Sequence, residues 1–272
     1  MFHKGEHAVL LMVKHGTEGF PRPPVVCYSL FWGAAKGIGF QNVPHTLEEY
    51  ARGLWIAVRV ASQKQWRVRV YHDGSVEAVL QRFRAQFTPS ELEIVHVKLP
   101  HDLRHKKYLC CLLRLFAADD PSVREFVCRD LDDGLRPDGL DMLTHKWLNN
   151  VHSGVHVQRE AYSTDHVSPA VNMGWYGQRN GFGSWQQRPK VIPMALQFFR
   201  MANTDYYTAD ETFLTKVWIP KLQHSGHAGT IMKLPSHPFR SGHKSTVAFH
   251  KFWNAPIGAP QIVDMVLDIE DQ

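Results

Sequence analysis

A chain of 272 residues with 44% apolar content can bury a sizeable core, as one large α/β domain or two small ones, and one domain is the simpler reading. Its 31 Lys and Arg against 26 Asp and Glu give a net charge of +5 beside 17 His, and these basic residues are scattered, which suits anionic ligands such as nucleotides or acidic glycans better than nucleic acid. No run approaches the roughly 20 apolar residues of a membrane span, and Ala8 to Val13 is too short for a signal-peptide core, so a soluble, cytoplasmic protein without stable membrane insertion is expected. Cys27, Cys110, Cys111 and Cys128 show no C-x-x-C spacing and sit in apolar segments, as core thiols of a reducing compartment would.

In chain order, Ala8 to Val13 is a candidate strand, and Gly19-Phe20-Pro21-Arg22-Pro23-Pro24 is a stiff loop that cannot continue it. Val25 to Trp32 predicts a clearer strand. The glycine-rich stretch from Gly33 to Gly39 follows; it fits neither the P-loop nor the dinucleotide fingerprint and reads as a flexible loop. Thr46-Leu47-Glu48-Glu49 is a capping box, and Leu47, Tyr50, Leu54, Ala57, Val58 and Ala61 recur at helical spacing, so a helix should run to about Ser62. Trp66 to Tyr71 alternates as a strand, and His72-Asp73-Gly74-Ser75 turns into the next helix, with Asp73 at the strand's carboxyl end. Leu92 to Val97 predicts another strand and His101 to Ala118 another helix, with Arg114 in its apolar half.

Phe126, Val127 and Cys128 read as the end of a buried strand that runs into Arg129-Asp130-Leu131-Asp132-Asp133. Where the strand period of two persists, Asp130 and Asp132 point to the same side as the backbone leaves the sheet. Two hard carboxylates there can seat Mg2+ or Mn2+, which completes its shell with waters and substrate phosphates, so a nucleotide diphosphate is the natural third party. An acidic turn with Asp133 capping the next helix accounts for the same residues. Beyond it, Pro137 suits the first turn of a helix through Trp147 and Leu148, and Gly154 to Arg159 reads as a strand. Glu160 to Arg188, rich in Gly, Trp, Tyr, Asn and Gln, predicts active-site loops. A helix follows over about Val191 to Ala202, Thr208-Ala209-Asp210-Glu211 is a second capping box, and Gly229 to Leu234 and Ile262 to Ile269 are late strands.

Arg129-Asp130-Leu131-Asp132, Trp147-Leu148, His156-Val157-Gln158-Arg159-Glu160, His166, Met173-Gly174-Trp175-Tyr176-Gly177 and Asp210-Glu211-Thr212-Phe213-Leu214 follow in an order that resembles the GT-A fold glycosyltransferases with an R-D-x-D motif. That group includes enzymes, encoded by large algal viruses, that decorate capsid glycans. The resemblance covers about residues 65–240. It implies an α/β fold of GT-A type: a Rossmann-like central mixed sheet with helices on both faces, a nucleotide-binding half over about 8–135 and an acceptor-side half over about 136–272. The implied activity is that of a hexosyl- or pentosyltransferase using Mn2+ or Mg2+, a UDP- or GDP-sugar donor and a glycan or glycoprotein acceptor, in the host cytoplasm if the source is viral. Asp130 and Asp132 would hold the metal on the donor diphosphate, joined by His237 in preference to His224 and His227. Asp73 would contact base or ribose, Arg114 or Arg129 would lie near the phosphates, and Arg159, His166 and Trp175 would complete the nucleotide-sugar site. Where the pattern calls for Arg-Asp, a glycine-rich Met-Trp segment and Asp-Gln, this chain has Arg159-Glu160, Met173-Gly174-Trp175-Tyr176 and Asp210-Glu211. Those departures bear on the identity of the sugar more than on the chemistry.

Elementary chemistry asks for the same parts. A nucleotide diphosphate leaves an anomeric carbon only if the charge developing on its oxygen is held, and an inverting enzyme needs a carboxylate to take the acceptor's proton from the opposite face. Asp210, not needed as the cap, is the expected base, with Asp165 and Glu160 in reserve; the helix dipole should lower its pKa. A metal-dependent nuclease is the alternative, using the same carboxylates and the basic surface, but it wants further acidic residues converging on the site. A silent carbohydrate-binding module would leave the Asp-rich turn without a role.

Overall fold

The computed structural model of the chain describes residues 22–32, 46–131, 135–158, 174, 176–201, 204, 206 and 208–234. Seven strands, β1 (Val25–Ser29), β2 (Arg67–His72), β3 (Leu92–His96), β4 (Glu125–Cys128), β5 (Val155–Gln158), β6 (Tyr176–Arg179) and β7 (Ile231–Leu234), form one sheet in the order β3-β2-β1-β4-β6-β5-β7. β1 to β4 run parallel and so do β5 and β7, while β6 is antiparallel to both its neighbours. The result is the Rossmann-like mixed sheet, with helices on both faces, that was expected of a GT-A-type chain.

Side chains alternate between two cores, as the strand period requires. Val26, Tyr28, Val68, Val70 and Val127 pack with α1 (Leu47–Gln63), α2 (Glu77–Gln86) and α4 (Pro137–Met142). On the other face Val25, Cys27, Phe126 and Cys128 pack with α3 (Lys107–Leu112), α5 (Val191–Arg200), α6 (Ala209–Phe213) and α7 (Ile219–His224). Both sides of β1 are apolar because helices cover both faces, which is why its sequence is a continuous apolar run. All four cysteines are free thiols, three of them fully buried.

The capping box that opens α1 forms, with Thr46 Oγ1 accepting from the Glu49 N–H at 3.2 Å. The helix expected over His101 to Ala118 is instead broken: α3 stops at Leu112 and a tighter 3-10 turn runs from Leu113 to Asp119. The cause lies on β1. Ser29 Oγ donates to the Cys111 carbonyl at 3.1 Å and accepts from the Arg114 N–H at 3.0 Å, so a side chain from the sheet enters the helical ladder where the winding changes. Similarly, α6 passes through a wide π turn, Leu214–Trp218, into α7, whose Pro220 lacks the N–H that a regular helix would use there.

The largest departure is β6. The segment expected to be active-site loop supplies a central antiparallel strand in which Tyr176, Gly177 and Gln178 are buried. Its polar groups are satisfied inside the protein: Gln178 Oε1 accepts from Tyr176 Oη at 2.7 Å and Trp218 Nε1 at 3.0 Å, and its Nε2 donates to Asn180 Oδ1 at 3.1 Å.

At the opposite edge of the sheet from the strand ends that matter below, Arg69 is 1% exposed and gives Nε and Nη2 to Glu93 and Nη1 to Asp120. Burial alone would raise the Asp120 carboxyl, but Arg69 and Ser122 hold it below the usual value. Removing one partner of a buried pair strands the other charge, so Asp120→Ala should cost about 3 kcal/mol. Urea unfolding measures it, and a loss below 1 kcal/mol would mean that Glu93 alone satisfies Arg69.

Candidate functional site

β1, β2 and β4 end side by side, and at that carboxyl edge the 3-10 turn, the residues after β4 and the start of α6 converge on one guanidinium. Arg114 is only 6% exposed. Its Nη1 donates to the Arg129 carbonyl at 2.7 Å and to Asp130 Oδ1, and its Nη2 stands 3.8 Å from Asp210 Oδ2. A cation thus lies between a carboxylate delivered by the parallel sheet and one delivered by α6. The expected metal ligand Asp130 and the expected base Asp210 are brought together, and Arg114 links them.

Asp210 is 8% exposed. Burial pushes its carboxyl up to about 6, against the pull of Arg114 and with a further push from Asp130. The expected lowering by the helix dipole is therefore wrong, because α6 gives two local N–H contacts while the surroundings withhold water. The second capping box is also absent. Thr208 has φ 68°, in the left-handed region, whereas a capping residue needs extended backbone to bring its oxygen over the helix start.

Asp130 keeps about a third of its side chain exposed, and among the described residues only its Oδ1 has a partner. Arg129 is buried; its N–H continues the sheet to the Cys27 carbonyl at 3.0 Å and its Nη1 donates to the Gly174 carbonyl at 3.3 Å. Asp73 closes its own turn, Oδ1 accepting from the Ser75 N–H at 3.0 Å, and Ser75 Oγ accepts from the Trp32 N–H at 2.7 Å, which ties the end of β1 to the loop after β2. It does not cap α2, whose first residue follows Val76 without a side-chain cap. Asp132, Arg159, Glu160, Asp165, His166, Trp175 and His237 lie outside the described residues. His227 commits Nε2 to the Ser184 carbonyl at 2.9 Å and Nδ1 to Ser225 Oγ at 3.1 Å.

Two site features escape sequence reasoning. His156 on β5 is buried, its ring edge-on to Trp147 at 4.6 Å, and among the described residues neither ring nitrogen has a hydrogen-bond partner. Burial, helped by Arg129, drives its pKa down to about 3, and burial with the stacked His96 takes His72 to about 4. Both are neutral when folded and protonate near the ordinary imidazole value of 6.5 when unfolded. The stability this confers is whole above 6.5 and is lost as pH falls toward 4 and then 3. Urea unfolding of His156→Phe should show a clearly shallower loss across that window than wild type; an unchanged slope would mean that His156 protonates without cost. The second feature is Gly53, inside α1. A Cβ there would sit 2.0 Å from the carbonyl oxygen of Leu131, the residue after Asp130, so this glycine lets the Asp-bearing segment lie directly on the helix. The only signal in the sequence is a glycine in an otherwise helical pattern.

No family model and no curated protein matches this sequence. Among solved structures, the chain is similar to 4-diphosphocytidyl-2C-methyl-D-erythritol synthase from Anaerococcus prevotii DSM 20548, at 9% identity over 84% of this chain and 94% of that one, with a TM-score of 0.44. It is also similar to a candidate nucleotide-diphospho-sugar transferase from Desulfovibrio desulfuricans G20, at 12% identity over 78% and 79% of the two chains and a TM-score of 0.42. A third similar structure is S. aureus TarS 1-349, at 11% identity over 78% of this chain and 56% of that one, TM-score 0.39. These are likenesses of overall architecture. Among the described residues no helix is long and apolar enough to cross a membrane.

Proposed function

We propose that the chain is a metal-dependent glycosyltransferase that moves a hexose or pentose from a UDP- or GDP-sugar to a hydroxyl of a glycan or glycoprotein, with inversion at the anomeric carbon. The observation that carries this is the pair of carboxylates, Asp130 and Asp210, set on either side of buried Arg114 at the carboxyl edge of the parallel strands. Open α/β sheets bind their ligands outside that edge.

Asp73 and Asp130 follow β2 and β4, which only β1 separates, so strand spacing sets them about 10 Å apart along the edge, enough for a ribose at one and a diphosphate at the other. Among the described residues Asp130 keeps one carboxylate oxygen uncommitted, which suits a hard divalent cation that takes its other ligands from phosphate and water; Asp132 and His237 are the proposed companions. Bound there, Mn2+ or Mg2+ supplies positive charge to the departing diphosphate.

Asp210 then acts as general base. The bond from acceptor oxygen to anomeric carbon forms, the bond to the diphosphate oxygen breaks with its electron pair, and the hydroxyl proton passes to Asp210. A carboxylate raised to about 6 is ionised at neutral pH yet a better proton acceptor than an ordinary aspartate, and it becomes neutral where burial favours neutrality. Arg114 steadies the anion beforehand.

The test is a panel of UDP- and GDP-sugars with Mn2+ and glycan acceptors, followed by proton NMR of the product. Transfer with inverted configuration is expected. Nucleotide release with no glycosidic product on any acceptor would remove the proposal, and retained configuration would remove the base role of Asp210.

A further inference from the structure

The contacts of Arg114 are unequal in a way that gives the side chain a second position. Its Nη1 is committed to the Arg129 carbonyl and Asp130, whereas Nη2 reaches Asp210 at 3.8 Å, an ion-pair distance too long for a hydrogen bond. Among the described residues its Nε–H is buried without a partner. A buried donor left unused, on a guanidinium whose Nη2 also stops short of a hydrogen bond to Asp210, is costly unless another arrangement uses it. The backbone is pinned by Ser29, which holds the Arg114 N–H, so any rearrangement is confined to the side chain.

We infer that Arg114 is a positioning residue that transfers its ion pair from Asp130 to Asp210 when Asp130 is drawn to another cation, so that the acceptor-side carboxylate is fully paired only when the donor side is filled. The catalytic meaning rests on the function proposed above; the coupling between the two carboxylates does not. Among the described residues the titratable groups around Asp210 are Arg114 from the 3-10 turn, Asp130 and Cys128 from β4 and its continuation, Cys111 from α3, and Glu211 on its own helix. Burial raises both thiols, Cys128 to about 12, so they stay neutral, and among the described residues the charges facing Asp210 from other elements are those of Arg114 and Asp130.

Carbon-13 NMR titration of the Asp210 carboxyl in the full chain tests this without turnover, with Asp210→Asn assigning the signal. Asp130→Asn imitates an Asp130 whose charge is satisfied elsewhere. It should lower the Asp210 midpoint by about one pH unit or more, and Arg114→Met should raise it by a similar amount. In the double variant the downward shift caused by Asp130→Asn should shrink to less than about half, since the guanidinium that carried it is gone. An equal shift with and without Arg114 would overturn the transfer and leave only direct repulsion between the carboxylates. Should Arg114→Met not fold, Arg114→Lys keeps the charge without the fork and should keep a midpoint near that of wild type while losing most of the dependence on Asp130; full dependence in that variant overturns the inference equally. Coupling seen in a protein that transfers no sugar would sink the proposed function and leave this inference standing, and transfer without coupling would do the reverse.

Discussion

Asp210→Asn should lower sugar transfer by at least about 100-fold, the usual contribution of a general base, while metal-dependent donor binding persists, weakened about tenfold through the lost coupling to Asp130. The substitution keeps the shape of the side chain and removes its ability to accept the acceptor's proton. For the wild type, kcat/KM for the donor, which reports the groups of the free protein, should fall below a limb at about 6, where Asp210 takes up its proton. The same group predicts a stability change of opposite sign. A carboxyl raised from 3.8 to about 6 favours the folded state below 3.8 and loses that advantage as pH rises through 6. At pH 8 the buried charge therefore costs on the order of 3 kcal/mol, net of its attraction to Arg114, and Asp210→Asn relieves it. The variant should melt no lower than wild type at pH 8 while being inactive. A variant that loses both donor binding and stability would show Asp210 to be structural.

Gly53→Ala should destabilise the protein by about 2–3 kcal/mol and reduce transfer at least tenfold. In an ordinary exposed helix the same change would stabilise by up to about 1 kcal/mol. Here the added carbon would lie 2.0 Å from the Leu131 carbonyl oxygen and 3.0 Å from its carbon, and neither is the movable end of a side chain. Overpacking of this kind costs about 1–3 kcal/mol, and relief requires the segment carrying Asp130 to move. A displacement of about 1 Å at a reacting group costs up to 100-fold in rate. Thermal unfolding and kcat together check this, and a variant more stable than wild type with full activity would mean that Asp130 does not depend on how Leu131 packs.

What the sequence made legible was local. α1 was readable because its capping box and apolar spacing lie within one stretch of chain. The end of β4 and the acidic residues after it were readable because a short apolar run stopped there. What stayed hidden depended on partners far along the chain. The break after Leu112 is made by Ser29, the closeness of Leu131 to α1 by Gly53, and the burial of Gln178 on β6 is supported by Trp218, whose Nε1 donates to its Oε1. Polar and glycine residues in Tyr176-Gly177-Gln178-Arg179 carry no strand alternation, so the segment reads as loop until those partners are known. At Thr208 a good local signal forms no cap, because the residue adopts the left-handed region. Asp210 was found as a candidate but its electrostatics were misjudged, because the helix dipole is a local quantity and burial is not.

The central claim is that Asp130 marks the seat of a metal-bound nucleotide sugar. Calorimetric titration of the full chain with UDP- and GDP-sugars, with and without Mn2+, tests it most directly when wild type, Asp130→Asn and Asp210→Asn are run side by side. One donor should bind wild type and Asp210→Asn in the presence of Mn2+, bind at least about tenfold more weakly without it, and lose that metal dependence in Asp130→Asn. Binding of equal strength with and without Mn2+, or metal dependence undiminished in Asp130→Asn, would contradict it.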